Sequence, residues 1–193
     1  DNTAGGSNVL GDITFERYFP AVTDGASWLS VGNYVVGATY SEWTSSFGSA
    51  PLMFEWDETH VLVNNTTDNP TGANAWTIVS SGTLEDADFG YLVYTASNAT
   101  ATLSASGGYN TADPNQALTF SNTASHGGGW HLLTNPYPSP ISGSEFLSDN
   151  AGLLSSYYMY NNGTDVFETD LTGAPSTIDI GQSFWVQTSS AGN

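Results

Sequence analysis

Ala99-Thr-Ala-Thr-Leu-Ser-Ala105 alternates without a break. Successive side chains of an extended chain point to opposite faces. Ala99, Ala101, Leu103 and Ala105 therefore share one face, and Thr100, Thr102 and Ser104 the other. The same period of two recurs along the chain. Leu52, Phe54 and Trp56 alternate with Met53, Glu55 and Asp57, and Trp76 and Ile78 alternate with Ala75, Thr77 and Val79. Tyr91–Tyr94, Leu118–Phe120, Ile178–Ile180 and Phe184–Thr188 read as further strands, being rich in aromatic and branched residues. Polar clusters at Asn64–Gly72, Ser106–Asn115, Ser125–Gly129 and Asn161–Asp165 read as the turns between them. No long window sustains a helical period. Two helical turns are expected, at Tyr40–Ser46 and Ser144–Ser148, the second capped by Ser144. Many short strands between polar turns predict an all-β chain with a sandwich or jelly-roll architecture.

An internal repeat organises these strands. Trp28-Leu-Ser-Val-Gly-Asn33 aligns with Trp130-His-Leu-Leu-Thr-Asn135, each a Trp followed five residues later by an Asn. Ser41-Glu42-Trp43 then matches Ser144-Glu145-Phe146, and Pro51–Trp56 matches Ser155–Tyr160. Gly90–Tyr94 resembles Gly181–Val186 more loosely. Four matches in one order predict two homologous β halves, residues 13–110 and 111–193, behind an extended segment at 1–12. Whether they share one core is left open.

Composition narrows the partners. The 193 residues include one basic side chain, Arg17, against 19 Asp and Glu, for a formal charge of −18. Such a surface repels phosphates, so neither nucleic acid nor an anionic membrane is an expected partner. No run of residues is long and apolar enough to insert in a membrane as a helix. Only 10% of residues are charged, against about 25% in typical domains. Hydroxyls and amides supply the polarity instead, as expected of an extracellular β protein. The absence of Cys excludes disulfides and thiolate metal sites.

Gly129-Trp-His-Leu-Leu-Thr-Asn-Pro-Tyr-Pro-Ser-Pro-Ile141 resembles a stretch of secreted β-rich modules in Bacteroidota surface and adhesin-like proteins, exported by the type IX route. Tyr157-Tyr-Met-Tyr-Asn161, Ile180-Gly-Gln-Ser-Phe-Trp-Val-Gln187 and, upstream, Ile13-Thr-Phe-Glu-Arg-Tyr-Phe-Pro20 resemble matching segments. The likeness covers most of residues 13–188 and is most specific at Asn135–Pro138. It implies export to the cell surface and a β-rich module, and it carries no catalytic residues. Two features depart from it: a basic C-terminal sorting tail and the usual scattering of Lys are missing. An internal or processed piece of a longer chain is the expectation.

The remaining candidate residues differ in the chemistry they can support. His60, His126 and His131 are the histidines, and the last two flank Gly127–Trp130, but zinc needs three or four converging ligands. Acidic clusters at Glu55–Glu58 and Glu85–Asp88 resemble a glycosidase pair only if a defined separation is met. No cofactor is expected, and calcium is the one metal left open, at Asp86, Asp88, Asp165 and Asp170, through hard oxygen ligands. Six Trp and ten Tyr are enough to fill cores and still face a ligand. Trp56, Tyr158 and Tyr160 are the candidate ligand or subunit contacts; Trp28, Asn33, Trp130, Asn135 and Pro136 are assigned to structure. Arg17 falls on the face of Ile13 and Phe15, where a salt bridge to a carboxylate is expected. Asn64, Asn65, Asn98 and Asn162 begin glycosylation-type sequons, and a cis bond at Pro136 is compatible with its turn.

The function that follows is a non-enzymatic extracellular structural or adhesion module, such as a fibre subunit or adhesin repeat. It is expected to self-associate or meet other surface proteins, with residues 1–12 adding a strand to a neighbour in the filament form. The alternative is a carbohydrate-binding module of a secreted polysaccharide-degrading enzyme, taking glycans on its aromatic rings.

Overall fold

Alternation of apolar and polar side chains drives the chain into short antiparallel ladders. The structure, a computed structural model, describes residues 11–19, 27–33, 35–47, 52–58, 76–84, 89–95, 100–109, 116–120, 128–161, 166–169 and 176–190. Its strands are β1 (Ile13–Phe19), β2 (Ser27–Gly32), β3 (Val35–Val36), β4 (Leu52–Trp56), β5 (Trp76–Val79), β6 (Gly90–Thr95), β7 (Ala101–Tyr109), β8 (Trp130–Thr134), β9 (Ile141–Ser142), β10 (Leu154–Asn161), β11 (Val166–Thr169), β12 (Thr177–Ile178) and β13 (Ser183–Thr188). Two short helices interrupt them, α1 (Tyr40–Ser46) and α2 (Gly143–Asp149). The fold is predominantly β. Its sheets run β1-β7-β3, β2-β6-β4-β5, β11-β10-β13-β8 and β12-β9. No described helix is long and apolar enough to cross a membrane.

Two separate apolar clusters hold the sheets. The first combines Phe15, Phe19, Val35, Leu103 and Ala105 of the three-stranded sheet with Leu29, Val31, Met53, Tyr91 and Val93 of the β2-β6-β4-β5 sheet, and adds Trp43 and Phe47. The second combines Leu118, Leu133, Leu154, Tyr157, Met159, Ile178, Phe184 and Val186. Each fully buried large side chain contributes about 1.5–3 kcal/mol. Trp43 acts through packing alone. Its buried indole N–H has no hydrogen-bond partner, and its ring meets Tyr91 edge-on at 5.5 Å.

Three local expectations are corrected. Ser106–Tyr109 is not turn but the end of β7, because β3 pairs there as Val36↔Gly108 and Val35↔Tyr109. Gly107 lets β3 lie close, since a Cβ would collide with the Val36 carbonyl. Leu118–Phe120 is not a ladder strand; Leu118 makes a single bridge and buries its side chain. Helix α2 is capped by Ser142, whose hydroxyl accepts from Glu145 N at 3.2 Å, not by Ser144.

Helix α1 carries a reciprocal cap. The Thr39 hydroxyl accepts from Glu42 N at 3.3 Å, and Thr39 N donates to Glu42 Oε2 at 2.8 Å. Hydrogen bonds from the Thr39 hydroxyl, then from its N–H, hold the Glu42 pKa below the ordinary carboxylate value.

The two four-stranded sheets meet across small residues. Gly32 pairs with Gly90 in one, and Thr134 with Ser183 in the other. A Cβ on Gly32 would fall inside the Thr134 side chain, and one on Gly90 would lie 2.6 Å from Ser183 Cβ. Polar ties close the seam: Gly32 N donates to Gly181 O at 2.9 Å, and the Ser30 and Ser183 hydroxyls lie 2.6 Å apart. Thr134 Oγ1 donates to Phe89 O at 3.1 Å.

Gly32→Ala is expected to lose about 1–3 kcal/mol by overpacking, with part recovered when Thr134→Ala is added; urea unfolding of the four proteins checks this coupling. Thr39→Ala is expected to cost about 1 kcal/mol. The Glu42 contribution is present above the carboxylate's unfolded pKa and is lost as pH falls through its depressed folded value. The stability gap between wild type and Glu42→Gln therefore narrows in acid, which thermal unfolding at several pH values reads directly.

Candidate aromatic site

The β2-β6-β4-β5 sheet has apolar side chains on both faces. Leu29, Val31, Met53, Tyr91 and Val93 point into the first core. Their alternates on the opposite face include Trp28, Phe54, Trp56, Trp76, Ile78 and Tyr94. The second four-stranded sheet turns Trp130, Tyr158, Phe167 and Trp185 away from its own core, because Tyr157, Met159, Phe184 and Val186 take the core-facing positions. Where the two aromatic faces meet, Trp56, Trp76, Trp130, Tyr158, Phe167 and Trp185 line a cleft of about 380 Å³.

Register sets this constellation. Trp56 lies opposite Trp76 across β4 and β5, and Trp185 lies opposite Leu132 on one side and Tyr158 on the other. Ring centres of Trp56 and Trp76 are 5.0 Å apart at 74°, Trp56 and Trp185 5.1 Å at 81°, and Trp76 and Trp185 5.6 Å at 88°. Trp130 stands 6.3 Å from Trp185 at 77° and 5.3 Å from Tyr158 at 61°. Trp56 Nε1 donates to Trp130 O at 2.7 Å, tying the first sheet to the second. Phe167 is exposed and the other five rings are half-buried.

The same face continues beyond the cleft. Trp28 pairs with Tyr94, which pairs with Leu52, and Phe54 pairs with Ile78. Trp28 packs against Tyr94 at 4.9 Å and Phe54 at 5.8 Å. Trp28, Leu52 and Ile78 are 37%, 50% and 59% exposed. This is an apolar patch on the surface, continuous with the cleft along β4 and β5.

Of the expected contacts, Trp56 and Tyr158 line the cleft, and Tyr160 lies beside it with its ring 5.1 Å from Phe167. Trp130, assigned to structure, also lines it. Trp28 is a surface ring on the sheet rather than core. Trp76, Trp185 and Phe167 were missed. Trp76 and Trp185 were legible only as strand aromatics, and nothing local says which face of a strand another sheet will cover.

The structural residues hold turns. Asn33 Oδ1 accepts from Val35 N at 3.1 Å, and Asn135 Oδ1 from Tyr137 N at 3.0 Å. Asn135 Nδ2 donates to Ser139 O and Ile178 O, each at 2.9 Å, from full burial. Pro136 is buried, and its bond is trans, since the described backbone has no cis peptide. Arg17 does not find the expected carboxylate among its hydrogen-bond partners. Nη1 donates to Gly181 O at 2.6 Å, Nη2 donates to Gln182 Oε1, and the guanidinium lies 5.3 Å from the Phe19 ring centre. Burial lowers the Arg17 pKa, and the Asp179 charge offsets part of that shift.

Of the acidic and histidine candidates, the described Glu58 and His131 both bond to Thr119. Glu58 is buried; its Oε1 accepts from Gly129 N and its Oε2 from Thr119 Oγ1, both at 2.8 Å. His131 is buried too, and its Nε2 lies 2.8 Å from Thr119 O, so that nitrogen is the donor. Glu55 lies on the Met53 face of β4, away from the cleft. Asp86, Asp88, Asp165, Asp170, His60, His126 and the four sequon asparagines lie outside the described residues, as does most of the 1–12 segment. Among the described residues, no three His, Cys, Asp or Glu side chains converge as a metal site.

Comparison of the chain with protein-family models, curated proteins and solved structures gives no match.

Trp56→Phe keeps a ring in the cleft wall but removes its bond to the Trp130 carbonyl. A loss of about 1 kcal/mol is expected, with a changed near-ultraviolet circular dichroism band from the coupled indoles; chemical unfolding and that spectrum are the checks.

Proposed function

We propose that the chain is a non-catalytic extracellular structural or adhesion module, a β-sandwich of two homologous halves that meets other protein chains through its open apolar sheet face. The observation that carries the contact is the patch of Trp28, Leu52 and Ile78, each 37–59% exposed on one sheet face. Contiguous exposed apolar surface of this kind marks interaction sites. The resemblance at residues 129–141 and 157–187 supports export and a surface location.

The case for two halves rests on matched detail. The sheet orders β2-β6-β4-β5 and β8-β13-β10-β11 correspond strand for strand. Trp28↔Tyr94 and Gly32↔Gly90 correspond to Trp130↔Gln187 and Thr134↔Ser183. Asn33 and Asn135 make the same turn. Thr39 and Ser142 cap helices with Glu42 and Glu145 at the same place. In this alignment Gly90 corresponds to Ser183, two residues later than the Gly181 match read from the sequence.

Glycan binding is the second reading, favoured by the four Trp around the cleft. Sugar platforms use rings lying side by side. The Trp pairs of the cleft stand at 74–88°, which gives a sugar ring no flat platform.

Self-contact of a chain carrying −18 charges requires screening or bound cations. Electron microscopy and sedimentation of the native secreted material, with and without a calcium chelator, test the reading. Fibres or oligomers with a repeat fitting a 20.3 kDa subunit are expected, and Leu52→Asp with Ile78→Asp is expected to disperse them. Monomers under every condition would overturn self-association and direct attention to a glycan screen.

A further inference from the structure

We propose that the cleft between the two four-stranded sheets is an aromatic cage for a small quaternary ammonium ion of the choline type. The inference goes beyond the surface-module reading, which rests on the open patch and not on the cleft.

Geometry comes first. Trp56, Trp76 and Trp185 stand close to mutually perpendicular, at 74°, 81° and 88°. Their centres are 5.0–5.6 Å apart and all three line the cleft, so a cation seated there has several rings within the roughly 6 Å reach of a cation–π contact. Trp130 and Tyr158 extend the wall. The volume of about 380 Å³ lies at the small-molecule end of ligand pockets. The half-buried rings leave it open to solution.

Electrostatics points to a cation. Each ring face carries the negative side of its quadrupole, and the whole chain carries −18. The chain has no Lys to place there. Its one basic side chain, Arg17, is engaged with Gly181, Gln182 and Phe19.

The lining then selects the kind of cation. Its described lining offers aromatic rings, indole N–H groups and one phenol, with no carboxylate among those described residues. Calcium needs six to eight oxygen ligands. A primary ammonium brings three N–H donors that the ring faces leave unsatisfied, at a desolvation cost. A quaternary ammonium has no N–H, is weakly hydrated and presents methyl groups to the rings. An anionic group on the guest is disfavoured by the acidic surface, so a free monocation is favoured over a phosphate-bearing headgroup.

The test is tryptophan fluorescence and calorimetric titration of the intact protein with choline, tetramethylammonium and 3,3-dimethylbutan-1-ol, the neutral isostere of choline. Both cations are expected to bind saturably, the isostere about tenfold or more weaker, and binding is expected to persist at about 0.5 M NaCl, where general attraction to the acidic surface is screened. Trp76→Leu, on the edge strand β5, is expected to lose choline binding, and Tyr18→Ser, on an exposed position of β1, to keep it. Should Trp76→Leu fail to fold, protein labelled with fluorinated tryptophan decides, because fluorine drains the ring face while preserving its shape, and a clear affinity loss is expected. Equal binding of the isostere would make the cleft a simple apolar pocket and overturn the proposal. So would loss of binding in salt, indifference to fluorination or no saturable response. Preferential capture of trimethyl-lysine peptides over free choline would overturn the free-solute assignment.

Discussion

A sheet with apolar side chains on both faces must be covered twice. The β2-β6-β4-β5 sheet meets that constraint once with the three-stranded sheet and α1, which seal the first core. Its second face is covered only in part. Around Gly32 and Gly90 the other four-stranded sheet comes close enough to exclude a Cβ. Around Trp56 and Trp76 the large rings keep the two surfaces apart and a cleft remains. Past Phe54, toward Leu52 and Trp28, the face reaches solvent. Close seam, aromatic cleft and open patch lie on one face of the sheet.

Polar groups do the fastening that ion pairs do elsewhere. With one basic side chain in the chain, buried carboxylates must find neutral donors. Glu58 takes a backbone N–H and a hydroxyl, joining the end of β4 to residues 119 and 129. Arg17 in turn takes a carbonyl and an amide oxygen at the 181–182 turn. Each bond links distant parts of the sequence, and each asks for orientation as much as charge.

Much of the fold was legible in the residues. The alternation at Ala99–Ala105 and Leu52–Trp56 marks strands because a period of two admits no other regular structure. The helical turn expected at Tyr40–Ser46 is helix α1, and the structure adds the reciprocal Thr39–Glu42 bonds that start it. The misreadings also have physical causes. Gly107 and Gly108 look like a turn in isolation and are strand because β3 lies against them. Leu118 looks like a strand and is held by burial in the second core. Ser142 caps α2 in place of Ser144 because Ile141 and Ser142 pair with β12, which ends the strand where the helix must begin.

By itself, then, the sequence determined the β character, the placement of most strands and both helices, and the acidic, nearly cation-free surface. These depend on neighbours a few residues apart and on composition. Only the tertiary structure decided which face of each strand meets what. Trp56, Trp76 and Trp185 are strand aromatics to any local reading; a cleft arises because sheet register sets Trp56 beside Trp76 and the packing of the second sheet brings Trp185 across to them. Their separation along the chain exceeds 100 residues between Trp76 and Trp185, and no local propensity reaches that far.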